Sequence, residues 1–200
     1  LPAFQKDPGL ALPLLDALKD DVSGYVRRSV ANHLGDIAKD HPQLATATAR
    51  TWLHGASAER AALVRHGLRF LVKQGHADAQ KRLGGMYANG QGVTQDYQQA
   101  RAWFEKAAAQ AHATAQYHLG FMYEAGRGVA HSDKQALHWY KLAAAAADPN
   151  AQYRLALMNL NGFGVKPNPV EARKWFAQAA AQGDPHAQRQ LGTLYAKGLG

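Results

Sequence analysis

Histidine is the residue through which this chain could bind a metal ion, because ten histidines are spread along its 200 residues. A zinc site usually places two histidines three or four residues apart on a helix, as in the HExxH motif, or combines histidine with cysteine. No HExxH motif and no cysteine occur, and the pairs His112/His118 and His131/His138 are spaced too widely for ligation on one helix. We therefore predict no metal site and no bound cofactor.

Other residue patterns that support catalysis are missing as well. The glycine-rich segment Gly90-Gln91-Gly92-Val93 lacks the Gly-Lys-Ser/Thr of a phosphate-binding loop, and no GxSxG nucleophile motif occurs. The absence of cysteine also excludes thiol nucleophiles and disulfides. These observations favour a non-enzymatic function.

A basic stripe is the pattern that could bind a ligand directly. Arg65, Arg69 and Lys73 follow one another at intervals of four residues, so they share one face of a helix, and Arg27 and Arg28 could add to this face. Such cations could contact phosphates, and the net charge of +8 also suggests acidic or nucleic-acid partners. The alternative is an ordinary solvated helix face with no ligand.

The elements that carry these residues follow a repeat of 36 residues. The repeated positions are Ala79-Gln80, Ala115-Gln116, Ala151-Gln152 and Ala187-Gln188; the glycine pairs Gly90/Gly92, Gly126/Gly128, Gly162/Gly164 and Gly198/Gly200; and Trp103, Trp139 and Trp175. Apolar residues at helical spacing on both sides of each glycine pair predict two helices joined by a turn. Each unit is therefore a helical hairpin, and the fourth copy is partial.

Packing between hairpins can also be predicted from the repeat. We expect Gly84 and Gly120 to permit close approach of a neighbouring helix, because a larger side chain would push that helix away. We expect the tryptophans and the aromatic residues that follow them to lock one hairpin to the next. These aromatic residues are Phe104, Tyr140 and Phe176.

The repeats resemble Sel1-like repeats, which are related to the tetratricopeptide family. The resemblance rests on AQxxLGxMYxxGxGVxxDxxxAxxWFxKAA over Ala79–Ala108 and on its copies, and it covers about residues 75–200. It implies an all-α, right-handed α-solenoid of stacked antiparallel helix pairs that acts as a scaffold. The copies depart from the motif at Ala156, Asn159, Ser132 and Asn168, which we expect to weaken single contacts and leave the architecture intact.

A binding groove follows from this resemblance. In a tetratricopeptide-like arrangement, the face of the first helix opposite its packing side lines a concave groove. The candidate contacts are Asp78, Lys81, Arg82 and Asn89 in the first unit, Tyr117, His118 and Phe121 in the second, and Tyr153, Arg154 and Asn161 in the third. These positions vary between copies while the packing positions repeat, as in a constant frame that presents a changing surface. The alternative is that they are solvated side chains without a partner.

Residues 1–74 are helical but do not follow the 36-residue template. Helices are predicted over Leu10–Lys19, Tyr25–Lys39, Gln43–Leu53 and Ala58–Lys73. The string DDVSGYVRRSVANHLGDIAKDHP, with Trp52 and LVRHGLRFLVKQGHADA, resembles part of the HEAT-like alkylpurine DNA glycosylases. This implies DNA binding along a basic concave surface and acidic and aromatic residues held against the damaged base. The candidates for these roles are Asp36, Asp40, Glu59 and Trp52, each of which is also typical of ordinary helix surface or core.

The two repeat types meet near Gly75 without a flexible linker. We therefore predict HEAT-like repeats over 1–74 and Sel1-like repeats over 75–200, joined in one continuous solenoid. Both arrays look cut from larger ones, so a natural or engineered fusion without a native ligand is a further hypothesis.

Our leading prediction is a non-enzymatic scaffold that binds a protein or peptide in the groove. The alternative is a DNA-binding or DNA alkylation-repair module that uses the basic HEAT-like surface. No apolar run is long enough to cross a bilayer and no secretory signal precedes the first helix, so we expect no membrane partner and favour a cytoplasmic location.

Overall fold

The computed structural model describes residues 7–198, and every regular element in that range is helical. A short 3-10 turn at Pro8–Leu10 precedes the α-helices α1 Leu12–Leu18, α2 Gly24–Asp40, α3 Pro42–Leu53, α4 Ala58–Lys73, α5 Ala77–Asn89, α6 Tyr97–Ala108, α7 Ala113–Ala125, α8 Asp133–Ala145, α9 Pro149–Asn161, α10 Pro169–Ala181 and α11 Pro185–Ala196. The predicted all-α fold is confirmed. Gly200, from the fourth predicted glycine pair, lies outside the described residues.

The chain forms two compact units, the first ending at Trp103 and the second beginning at Phe104, within α6. The first unit therefore holds α1 to α5, and the second holds α7 to α11. The boundary near residue 75 between HEAT-like and Sel1-like repeats was placed from the sequence pattern alone, and it stays a prediction.

Helix ends are set by the residue types that the sequence places there. Ser57 accepts a hydrogen bond from the Arg60 N–H at 3.2 Å at the start of α4, and Asp148 accepts one from the Ala151 N–H at 3.0 Å at the start of α9. The repeat helices α5, α7 and α9 each end at a glycine in the left-handed conformation, namely Gly90, Gly126 and Gly162. These caps explain why each first helix of the repeat stops at the same register.

The core of the first unit lies among α2, α3 and α4. Val64, Leu34 and Leu71 are fully buried in it. Helices α2 and α4 come close together at two glycines: a Cβ atom on Gly35 would lie 3.3 Å from the Gly67 carbonyl oxygen. A Cβ atom on Gly67 would likewise lie 3.0 Å from the Ala31 carbonyl oxygen, so side chains at these two positions would force the helices apart.

In the second unit, the aromatic residue after each tryptophan fills the core. Tyr140 and Phe176 are fully buried, whereas Trp139 and Trp175 are only partly buried. Trp175 packs against two hydrophobic clusters, one shared by α8 and α9 and one that extends from α9 to α11, so it does join successive hairpins. Tryptophan and its neighbour thus contribute differently to this packing: the smaller ring is fully enclosed, and the larger indole is only partly buried.

No helix between residues 7 and 198 has both the length and the apolar character required to cross a membrane.

Candidate functional site

Side chains from α7 and α9 form one continuous surface in the second unit, which we call the α7–α9 surface. Arg154 Nη1 donates to Glu124 Oε1 at 3.2 Å, and the Arg154 guanidinium carbon lies 5.9 Å from the centroid of the Phe121 ring. The side chains of Arg154 and Glu124 are 34% and 32% exposed. The predicted contacts Phe121 and Arg154, from two successive repeats, are thus brought together by a carboxylate that the sequence analysis did not select.

The Glu124 carboxylate is fixed from a third helix as well. The buried Tyr140 of α8 donates its hydroxyl proton to Glu124 Oε2. Burial raises the pKa of Tyr140, and the hydrogen bond and negative charge of Glu124 raise it further. Burial alone would lower the pKa of Arg154, but Glu124 and Tyr140 raise it overall, so the guanidinium of Arg154 stays charged.

Four further predicted contacts lie in this unit, three of them half-buried and one exposed. The His118 ring stacks on Phe104, with the ring centroids 4.8 Å apart and the planes inclined by 18°. The Tyr153 ring lies 5.7 Å from Phe176, and both His118 and Tyr153 are half-buried. Tyr117 is also half-buried, 5.8 Å from the ring of Tyr140. Asn161 is exposed at the end of α9. His118 and Tyr153 therefore contribute packing as well as surface.

The predicted contacts of the first repeat lie on α5, in the first unit. Asp78 and Asn89 are exposed, whereas Lys81 and Arg82 are half-buried. Burial lowers the pKa of Lys81, and the positive charge of Arg82 lowers it further, against the opposing effect of Asp78. These two cations are thus partly removed from solvent.

A second candidate site in the first unit is a groove between α2 and α4, which we call the cationic groove. It consists of two cavities of about 690 and 310 Å³ that share Ala31 and His66. The polar residues lining the larger cavity are Asn32, Asp36, Lys39, His66, Arg69 and Lys73, and those lining the smaller one are Arg27, Arg28, Glu59 and His66. Four of the five predicted phosphate contacts therefore line one groove.

These cations differ in what holds them. Arg27 donates from Nη1 to the Asp21 carbonyl oxygen. Arg28, Arg69 and Lys73 are exposed, and no carboxylate within residues 7–198 forms an ion pair with them. The fifth predicted contact, Arg65, is exposed on α4 but does not line either cavity.

His66 lies where the two cavities of the cationic groove meet. Its Nε2 donates to Asn32 Oδ1 at 3.0 Å. Burial lowers the pKa of His66, and the positive charges of Arg69, Arg28 and Arg65 lower it further. Sequence reasoning missed His66 because it falls between Arg65 and Arg69 in the basic stripe and gains its partner from another helix.

The candidates for base contact are not gathered around Trp52. Trp52 is 3% exposed and donates from Nε1 to Asp16 Oδ1 at 2.8 Å, so it is a core residue, and the hypothesis that it contacts a base is wrong. Asp36 lines the cationic groove and pairs with Lys39 at 2.7 Å. Glu59 lines the smaller cavity, and Asp40 is exposed. In the described range, no group of three or more histidine and acidic side chains is placed to hold a metal ion.

Comparisons with known proteins place the repeats in a family. The Sel1 repeat model matches residues 77–112, 113–148, 149–184 and 185–200. The structure of c5321, a protective antigen of uropathogenic Escherichia coli with an SLR fold, is 31% identical, with a TM-score of 0.72 over 86% of this chain and 37% of that chain. A Sel1 repeat protein from Oxalobacter formigenes is 38% identical, with a TM-score of 0.60 over 63% of this chain and 95% of that one.

A further similarity involves a protein without an assigned function. The uncharacterized protein YhaZ of Bacillus subtilis is 42% identical over 79 residues, which are 40% of this chain and 22% of YhaZ. The chain thus spans about a fifth of this curated relative and little more than a third of c5321. Sel1-repeat proteins are protein-interaction scaffolds and are generally non-enzymatic. Because the Sel1 repeat model matches more than half of its residues, this chain belongs to the Sel1 repeat family.

Proposed function

We propose that the second unit binds an extended peptide of a protein partner across the α7–α9 surface. The carrying observation is the fixed position of Arg154, which pairs with Glu124 and lies over the half-exposed Phe121 ring. Arginine and aromatic side chains dominate the energetics of protein interfaces, and a side chain already held in place loses little freedom when a partner binds. The α7–α9 surface therefore offers a preorganised anchor.

Tyr117 and Tyr153 extend this surface along the repeat. Both rings are half-buried against the fully buried Tyr140 and Phe176, respectively, which limits their motion. Asn161 adds an exposed amide at the end of α9. A peptide would meet rigid aromatic faces beside the Arg154–Glu124 ion pair, which favours a partner segment that combines apolar side chains with charged groups.

Selection from a random peptide library on the full chain, followed by calorimetric titration of the selected peptides, tests this function. We expect Phe121→Ala and Arg154→Gln to weaken binding at least tenfold, a loss of about 1.4 kcal/mol or more that is typical of anchor residues. Phe163→Ala is the matched control, because Phe163 is 52% exposed and lies in the turn after α9. Equal binding by all three variants, with unchanged helicity, would exclude the α7–α9 surface as the peptide site.

A second candidate function is favoured by the cationic groove. We infer that the HEAT-like segment predicted over 1–74, within the first unit, contacts the phosphates of a nucleic acid through Arg28, Arg69 and Lys73. Three exposed cations, none of which has an ion-pair partner in the described part of the chain, line a groove of two cavities, and phosphate neutralisation by such cations supplies sequence-independent affinity. No repair chemistry is proposed, because Trp52 is buried and bonded to Asp16.

A further inference from the structure

We propose that His66 is a phosphate ligand of the cationic groove and that it takes up a proton when a nucleic-acid phosphate binds. This inference rests on the second candidate function above. It adds a contact residue to the groove and makes its affinity depend on pH.

The position of His66 supports a direct contact. His66 and Ala31 are the two residues common to both cavities, and the alanine side chain is too small to separate them. A strand of phosphates that extends from Arg28 to Lys73 therefore has to pass the His66 ring. The ring is half-buried, and its hydrogen bond to Asn32 holds it against α2.

The charges around His66 come from both helices of the groove. Arg65 and Arg69 lie beside it on α4, and Arg28 faces it from α2. The other ionisable residues lining the two cavities are Arg27, Lys39, Lys73, Asp36 and Glu59, all from α2 and α4. This positive field disfavours the imidazolium, so the groove without ligand holds a neutral ring at neutral pH.

The hydrogen bond to Asn32 specifies which nitrogen is free to accept the proton. Asn32 Oδ1 is an acceptor, so Nε2 of the neutral ring carries the hydrogen and Nδ1 keeps its lone pair. A phosphate brought in by Arg28 and Arg69 adds negative charge next to the ring and offsets the positive field around it. Nδ1 then takes a proton from solvent, so His66 gains a second N–H donor and a positive charge.

Anisotropy titration of the full chain with a fluorescein-labelled oligothymidylate tests this inference at constant ionic strength. Between about pH 7.5 and 5.5, we expect wild-type affinity to rise about three- to tenfold, because one pKa unit of difference corresponds to a tenfold change. His66→Gln keeps a neutral donor and should bind with little dependence on pH. His33→Gln is the matched control, since His33 is exposed on α2 and lines neither cavity of the cationic groove.

Calorimetry in two buffers of different ionisation enthalpy measures the proton directly. We expect net proton uptake on binding in the wild type and in His33→Gln, and less uptake in His66→Gln. Equal proton uptake by His66→Gln and wild type would overturn the inference while leaving phosphate binding in place. If the wild type does not bind the oligothymidylate even at low salt, the second candidate function fails, and the inference fails with it.

Discussion

The ring of Tyr140 lies directly against the backbone of Gly120, where a Cβ atom would stand 2.6 Å from Tyr140 Cδ1. This contact joins α7 to α8 within one hairpin, and Tyr140 is fully buried in it. The same ring carries the hydroxyl group that holds Glu124. The absence of a side chain at Gly120 therefore allows the Tyr140 ring to fill the core and its hydroxyl group to reach Glu124 in the α7–α9 surface.

Gly120→Ala should destabilise the second unit by about 1–3 kcal/mol, because the added methyl group overlaps a ring that cannot move within a packed core. Urea unfolding followed by circular dichroism measures the change. Gly85→Ala is the control, because Gly85 also lies inside a repeat helix but has no atom within 4 Å of the corresponding Cβ position. We expect this control to leave stability unchanged or to raise it by up to about 1 kcal/mol, as alanine favours helix; equal effects of the two changes would contradict the packing argument.

Tyr140→Phe should lower stability by about 1 kcal/mol at neutral pH, the usual net value of one hydrogen bond. Phenylalanine fits this position, because Phe104 and Phe176 occupy it in the neighbouring repeats and are equally buried. The loss would thus report the bond to Glu124 rather than ring packing. Tyr195→Phe, at a tyrosine that is 62% exposed, is the control and should leave the free energy of unfolding unchanged.

Stability should also fall at alkaline pH because of Tyr140. Its pKa in the folded chain is raised above the ordinary value of 10.0, so only the unfolded chain releases this proton as the pH passes 10.0. Since the folded state then binds more protons than the unfolded state, the free energy of unfolding decreases with rising pH. Unfolding titrations above and below this pH should show a shallower decline for Tyr140→Phe than for wild type. An identical slope in both proteins would indicate that other groups cause the decline.

The 36-residue pattern predicted the hairpins well because the backbone hydrogen bonds that close each hairpin do not depend on side-chain identity. Asn159, expected to weaken a contact where other copies have tyrosine, is buried and donates to the Leu155 carbonyl oxygen at 2.8 Å. The backbone carbonyl oxygen of Asn159 accepts a hydrogen bond from the Asn168 backbone N–H at 2.7 Å. In the preceding repeat, the backbone carbonyl oxygen of Tyr123 accepts one from the Ser132 N–H at 3.0 Å. The bond that closes each hairpin thus survives the change of side chain.

The candidate sites could be predicted only in part. Phe121 and Arg154 were selected as candidates because the tetratricopeptide-like resemblance places them on the groove face. Glu124, which holds Arg154, lies 30 residues earlier and carries no signal of its own. The hydrogen bond between His66 and Asn32 could not be predicted either, because the two residues are 34 positions apart in the sequence. Such pairs depend on how two helices are rotated against each other, and a single sequence does not specify that rotation.

The passage from the N-terminal helices into the first Sel1 repeat depends on Gly92. A Cβ atom there would lie 2.6 Å from the Ala62 nitrogen of α4, just as one on Gly164 would lie 2.7 Å from the Asp133 carbonyl oxygen of α8. By this parallel, α4 lies against the turn after α5 as α8 lies against the turn after α9, while the continuous stack across residue 75 stays a prediction.

Gly92→Ala should therefore destabilise the first unit by more than the cost of its positive φ alone. Gly183→Ala provides that reference cost, because Gly183 has a φ of 89° and no atom within 4 Å of the corresponding Cβ position. Alanine in this conformation costs about 1–2 kcal/mol, and the overlap with α4 adds to it. Hydrogen exchange should show faster exchange in α4 and α5 for Gly92→Ala only. Equal destabilisation by the two variants would mean that α4 does not abut the turn.

The dependence of nucleic-acid affinity on salt tests which cations of the cationic groove touch phosphates. For a short DNA duplex, each phosphate contact contributes about 0.9 to the slope of log affinity against log salt. Arg69→Ala and Lys73→Ala should each reduce the slope by about that amount, because each removes one exposed cation from the groove. Lys134→Ala, at an exposed lysine of the second unit, removes the same net charge without touching the groove and should leave the slope unchanged. Equal reductions in all three variants would show that binding follows total charge, with no defined phosphate site between α2 and α4.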